Sequence, residues 1–444
     1  MRSWVRARER SRLAAAAVLL TAGLATHVAA QDLVLENAHI VDPRARTVIE
    51  GRLVIRAGRV AAAGADAPVP PGAPILDVQG RWVIPGLFDL HTHSFGNAAM
   101  TGPGQMTGPV GTARLALRAG VTGFLDLFSM EDMILGVRDR QRAEGLPGAD
   151  VFAAGPCLTA TGGHCSEYGV PTRLVDTPED AWREVDALAL KRPDVVKLVY
   201  DHNVYGGRSL PTLDRATLQA VVEAAHSHAL KTIVHVGTWQ DLQDAVEAGA
   251  DAVTHTPGPG PMPPGVAALM VQKGTLHIPT LAVQSELARI ARDPALLDRP
   301  LLVESVDPSV LDSYRDPAVW PARMQGFLAW VRSLERPNLE AVSTLAAAGV
   351  RIGAGTDAGN PGVFQGYSVH REMELLVEAG LSEWDALAAA TVVPMEFLGH
   401  DWGVEAGAEA TVLVLDASPL VDIRNTQRIH AVIQRGVRVA EGGS

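Results

Sequence analysis

VIPGLFDLHTH, residues 83–93, marks the point where the chain changes texture. Ahead of it, short alternating strands separated by turn signals run through LVLENAHIVD, TVIEGRLVIRAGRVAAAG and APILDVQGRWVIPG. Behind it, from Pro85 to about Leu398, an apolar strand, a loop and an amphipathic helix recur, which implies a parallel sheet. Strands are predicted at 87–91, 122–128, 151–156, 195–200, 232–236, 252–255, 276–279 and 351–355. Eight such units read as a (β/α)8 barrel, a fold that carries its reactive groups at the carboxyl ends of the strands. Alternating texture returns near the C-terminus in EATVLVLDASPL and IHAVIQRGVRVAEGG. The predicted fold is therefore α/β: a TIM-like barrel over 85–398, inserted into a small β-sandwich domain built from both ends, 31–84 and 399–444.

Three connections stand out on the predicted rim. SFGNAAMTGPGQMTGPVG after the first strand is glycine-rich, and PGPGPMPPG after His255 is a stiff, proline-rich loop. About seventy residues separate the seventh and eighth strands, too many for a plain connection, so helical cover over the barrel mouth is expected there.

Residues 1–30 read as an address rather than as fold. Arg2, Arg6, Arg8, Arg10 and Arg12 form a basic head, an apolar run follows from Leu13 to Leu24, and Val28-Ala29-Ala30 offers small residues for cleavage. The apolar run is short for a bilayer span, which favours a cleaved signal peptide over an uncleaved anchor. No adjacent arginine pair occurs in the head, so the general secretory route is favoured over the twin-arginine one. A periplasmic or secreted protein is expected, with no stable membrane insertion after cleavage. With the five Arg and one Glu of the head set aside, 33 basic residues face 49 acidic ones, a balance that argues against nucleic acid as a partner. Cys157 and Cys165 are the only cysteines, too few for a disulfide scaffold; whether they bridge each other is left open.

The polar singletons of the apolar strands carry the chemistry. His91 and His93 flank Thr92, and side chains that alternate with period two put both imidazoles on one side of a strand. Such a pair is often structural, but FDLHTH directly after the strand breaker Pro85-Gly86 favours a site. Lys197 lies among Val195, Val196, Leu198 and Val199, where a bare ammonium bears a heavy desolvation cost. Either a salt bridge across the barrel satisfies it, or the amine stays neutral and captures carbon dioxide as a carbamate; the residues alone leave both open. His226 and His228 stand about 200° apart on a helix and share no metal face. His39, His400 and His430 belong to the β domain or its edges, with structural roles the default.

The run VIPGLFDLHTH, the isolated strand lysine, IVHV with His235, AVTHT with His255 and GTDAG with Asp357 occur in the order shown by the amidohydrolase superfamily, which the chain resembles over nearly its whole mature length. TGGHCSEYG and GTDAGNPGVFQGYSVHREMELLVEAGLS resemble the imidazolonepropionase-related branch, which contains metal-dependent Xaa-Pro dipeptidases. The resemblance implies two divalent cations, with Zn(II) the first choice for imidazole and oxygen donors. His91, His93 and Asp357 would hold the more buried ion, His235 and His255 the more exposed one, and Lys197, as N6-carboxylysine, would bridge them.

It also implies hydrolysis of an amide or peptide C–N bond in a small substrate, a dipeptide or N-acyl amino acid. A water activated between the cations attacks the carbonyl, and Asp357 shuttles its proton to the leaving amine. His164 is expected to donate a hydrogen bond to the carbonyl oxygen, with a satisfied structural histidine the alternative. Tyr200, Tyr205 and Arg208 are candidates to capture a substrate carboxylate, and His370 is a candidate for substrate contact or for orienting a ligand. Asp89 is a candidate to orient a ligating histidine, with packing against the barrel floor the alternative. Lactone, carbamate or phosphotriester hydrolysis at the same metals is the rival reaction, and a non-catalytic small-molecule-binding barrel the rival class. Homo-oligomerisation is left open.

Overall fold

The computed structural model describes residues 31–203, 209–258 and 260–441. The expected export head and the rim residues Tyr205 and Arg208 lie outside the described residues.

Strands from both ends of the chain share one eight-stranded sheet. Its order runs Val437–Glu441, Ile429–Gln434, Val412–Leu415, Trp82–Pro85, Leu33–Asp42, Thr47–Arg56, Arg59–Gly64, with Ile75–Asp77 also paired to Leu33–Asp42. The two ends join where Val412–Leu415 runs antiparallel to Trp82–Pro85. The sheet curls on itself: its Arg59–Gly64 edge meets the segment before Val412, with Val60 N bonded to Ala408 O at 2.9 Å and Ala410 N to Gly58 O at 2.9 Å. Alternation supplies the reason, because Leu53 and Ile55, Val412 and Val414, and Ala431 and Ile433 turn their side chains into one buried cluster.

From Leu87 onward, parallel strands alternate with helices. Leu87–Thr92, Val121–Asp126 and Asp150–Ala153 form one parallel sheet; Arg173–Leu174, Leu158–Thr159, Val195–Tyr200, Lys231–Val236, Ala252–Thr254 and Leu276–Ile278 form a second. The strands thus hydrogen-bond as two sheets rather than as one continuous ring. The third strand breaks at Gly155, whose φ is +82°, and at Pro156, then resumes as Leu158–Thr159 against the strand of Lys197. The predicted eighth strand forms one isolated bridge, Ile352 with His277, and accepts from Leu90 N at Ala354 O, 2.9 Å, on its other side; Ala358 just beyond it bridges Thr92. Crowding accounts for its glycines: a Cβ on Gly353 would lie 2.5 Å from Leu90, and one on Gly355 2.5 Å from Ile278.

The long seventh connection is helical, as expected, ending in the 26-residue helix Ala322–Ala347. Asn338 ties that helix to the rim, donating to Gln284 Oε1 at 2.8 Å and to Thr256 O at 3.3 Å. Among the described residues no helix is long and apolar enough to cross a membrane.

Candidate metal centre

Parallel register builds the floor of a cavity of about 440 Å³. Val199 pairs with His235, and His235 with Thr254, so alternation puts Lys197, Val199, His235 and Thr254 on one face. Thr254 Oγ1 lies 2.6 Å from His91 Nδ1 and so connects the sixth strand to the first. Asp357 arrives from the glycine-rich segment after the eighth predicted strand, its N–H bonded to His91 O at 2.6 Å. His255 and Asp357 both hold left-handed backbone, with φ of 72° and 63°. That conformation costs a non-glycine residue about 1–3 kcal/mol and persists where the surroundings over-determine it, as functional sites often do.

The imidazoles form a continuous row. His93 and His91 ring centres are 5.2 Å apart, His91 and His255 5.1 Å, and His255 and His235 4.4 Å. Asp357 Oδ1 lies 2.8 Å from His93 Nε2 and 3.4 Å from His91 Nε2, and one donor atom from each of these three residues falls within 4.8 Å of the others. Each remaining histidine has one ring nitrogen held from behind, His235 Nε2 by Asp201 at 3.0 Å and His255 Nδ1 by Thr280 Oγ1 at 2.7 Å. Such partners fix which nitrogen is left for a ligand.

Three buried atoms here lack an aligned hydrogen-bond partner: Lys197 Nζ, His93 Nδ1 and Asp357 Oδ1. Unsatisfied groups of this kind are costly and rare in a core, and a donor set of imidazole nitrogens and a carboxylate oxygen fits divalent cations. Burial drives His91 and His255 well below the ordinary histidine range, so both are neutral, as ligands must be. Burial likewise lowers Lys197 to about 8. His93 is raised, because contact with Asp357 outweighs its burial, and Asp357 is correspondingly held low against its own burial.

His164 lines the same cavity, its ring 4.9 Å from that of His235 and its Nδ1 2.8 Å from Glu167 Oε1. Glu167 raises its pKa despite burial. Asp89 acts on backbone rather than on a ring: its carboxylate accepts from His91 N at 3.1 Å, Thr356 N at 3.0 Å and Thr356 Oγ1 at 2.6 Å, stapling the first strand to the segment of Asp357.

Two candidates stand apart from the cavity. Tyr200 donates its hydroxyl to Asp244 at 2.9 Å. His370 has both nitrogens engaged, by Thr426 Oγ1 at 2.9 Å and Ala119 O at 2.8 Å, which leaves none for substrate or ligand; its role is to pin its helix. His226 and His228 pair separately with Asp251 and Asp186. Cys157 and Cys165 are free thiols, both buried in a cluster with Phe128 and Val199. Asp201 is the residue that sequence reading passed over, although it directly follows the lysine strand.

Residues 82–439 match the model of the amidohydrolase family, and the chain belongs to that family. It is a hydrolase acting on carbon–nitrogen bonds. Among curated proteins it is similar to the imidazolonepropionase of Mesorhizobium japonicum, 25% identical over 88% of this chain and 92% of the relative. Among solved structures it resembles a Xaa-Pro dipeptidase with bound methionine (TM-score 0.76, 20% identity, 93% of this chain and 100% of the other). A prolidase complexed with N-methylphosphonate-L-proline is similarly close in fold (TM-score 0.73, 23% identity, 93% of this chain and 100% of the other).

Proposed function

We propose that the chain is an exported, binuclear metal-dependent amidohydrolase that cleaves the amide C–N bond of a small substrate. The observation that carries this reading is the convergence of His91, His93, Lys197, His235, His255 and Asp357 on one cavity. His91, His93 and Asp357 would hold one ion. His235 and His255 would hold the other, and the family resemblance implies Lys197, as N6-carboxylysine, as a further donor that both ions could share. A neutral amine is what carbon dioxide capture requires, and burial moves Lys197 toward that form. Imidazole and oxygen donors suit Zn(II).

Bound divalent cations supply Lewis acidity, which lowers the pKa of water and polarises a carbonyl. Asp357 takes the proton of the attacking water and delivers it to the leaving amine. His164, its pKa raised by Glu167 at Nδ1 against its burial, would offer Nε2–H as a hydrogen-bond donor to the carbonyl oxygen. Amide nitrogen is a poor leaving group until protonated, so the delivery step by Asp357 sets this reaction apart from ester cleavage.

Elemental analysis of the purified protein beside Lys197→Ala tests the reading. Two metal ions per chain are expected in the parent, and loss of both metal and turnover in the variant. Partial rescue by a short carboxylic acid would support the carbamate. Undiminished turnover in Lys197→Ala would remove the bridging role.

A further inference from the structure

Two aromatic surfaces flank the imidazole row in different sectors of the cavity. The first is Phe95, Phe128 and Tyr168, with Phe95 and Phe128 6.4 Å apart, Phe128 and Tyr168 6.4 Å apart, and Phe128 6.1 Å from His93. The second comes from the cover helix Ala322–Ala347, where Phe327, Trp330 and Leu334 repeat at helical spacing and so share one face. Phe327 and Trp330 are 5.6 Å apart with planes inclined by 35°. This second surface stands beside His255, because Asn338 on the same helix bonds the carbonyl of Thr256.

All six side chains line the cavity that holds the imidazoles. A carbonyl held at the row would have the first surface beside His93 and the second beside His255, one for each half of its substrate. The polar lining residues beyond the row include the amides of Gln284 and Asn360 as well as His164 and the carboxylate of Asp201, and among the described lining residues there is no arginine.

Resting on the amidohydrolase reading above, we infer that the substrate is an amide with a bulky apolar group on each side of the scissile bond. One group would lie on Phe95, Phe128 and Tyr168, the other on Phe327, Trp330 and Leu334. Small apolar additions in a hydrophobic pocket change specificity by about 10- to 200-fold, so each half is large enough to measure.

The test is a matrix of four amides hydrolysed by the metal-loaded, full-length protein, pairing an acetyl or a 3-phenylpropanoyl group with glycinamide or phenylalaninamide. We expect kcat/KM to rise at least about tenfold when either half is enlarged, and the two gains to multiply. Trp330→Ala should erase the gain from one half, and Phe95→Ala the gain from the other. A flat matrix in the parent, which requires no variant to fold, would overturn the inference, as would two variants that lose both gains equally. If no member of the matrix is cleaved, the amidohydrolase reading is what fails. Calorimetric affinities of the same four compounds then decide the walls, rising with each enlargement if the inference holds and level if it does not.

Discussion

Asp201 Oδ2 lies 3.0 Å from His235 Nε2, and this contact decides which nitrogen of His235 is free for a ligand. Asp201 is itself buried and kept ionised below the usual carboxylate range by His235, against the effect of its burial. Partners of this kind typically contribute 10- to 100-fold to metal affinity. Asp201→Asn presents an amide that can meet Nε2 as donor or as acceptor, so the tautomer is no longer imposed. We expect metal retention against a chelator to weaken by about 10-fold or more, with turnover falling in parallel. Retention equal to that of the parent would make the pair merely structural.

Gly237 tests the same contact from the other side. A Cβ at this position would lie 1.7 Å from Asp201 Oδ1, so alanine must push the carboxylate away. Gly237→Ala should therefore reproduce the metal loss of Asp201→Asn. Because both act through one contact, the double variant should be little worse than either single one, whereas independent defects would add. Chelator competition on the three variants reads the difference.

His370 predicts a pH dependence remote from the metals. Burial holds its pKa near about 4, while an unfolded chain takes the proton near the ordinary value of 6.5. Its contribution to stability is therefore intact above pH 6.5 and is lost as the pH falls toward 4, by roughly 3 kcal/mol from this group. Buried His277, held at about 3, adds to the loss over the same range and below it. His370→Gln should be less stable than the parent at pH 7.5 yet lose less on acidification. Urea unfolding at pH 7.5 and 5 measures both slopes; parallel slopes would contradict the assignment.

The legible parts of the site were those written in local pattern. His91 and His93 follow from strand alternation, Lys197 from an ammonium among valines, and the helical cover from a connection too long to be bare. What was hidden depends on contacts across the chain. Asp201 looks like any acid ending a strand until His235, 34 positions later, is seen beside it. His370 looked available because its partners, Ala119 and Thr426, lie 251 and 56 positions away. The break in the third strand was written as Gly155-Pro156, a turn signal that the apolar run on either side obscured. The close approach of Leu90 and Ile278 to Gly353 and Gly355 is likewise something no periodicity in 351–355 reveals.

Glu372 offers a last test, because it supports the site from outside. It is buried on helix Tyr367–Glu378 and accepts from the backbone N–H groups of Leu281 at 3.0 Å and Ala282 at 2.7 Å. These residues follow Thr280, the partner of His255, so the carboxyl fixes the turn behind a candidate ligand. Glu372→Ala leaves two buried donors unpaired and should cost about 2–5 kcal/mol. Burial raises the pKa of Glu372 to about 8, against 4.5 for an ordinary glutamate, so the folded state holds a proton that the unfolded state releases. Stability from this group is then greatest at low pH and declines as the pH rises from 4.5 to 8. Glutamine keeps an acceptor oxygen and cannot ionise. Glu372→Gln should therefore be less stable than the parent at pH 6 but close the gap, or overtake it, at pH 8. Denaturant unfolding at the two pH values checks this, and a gap that stays constant would mean that the carboxyl is ionised throughout.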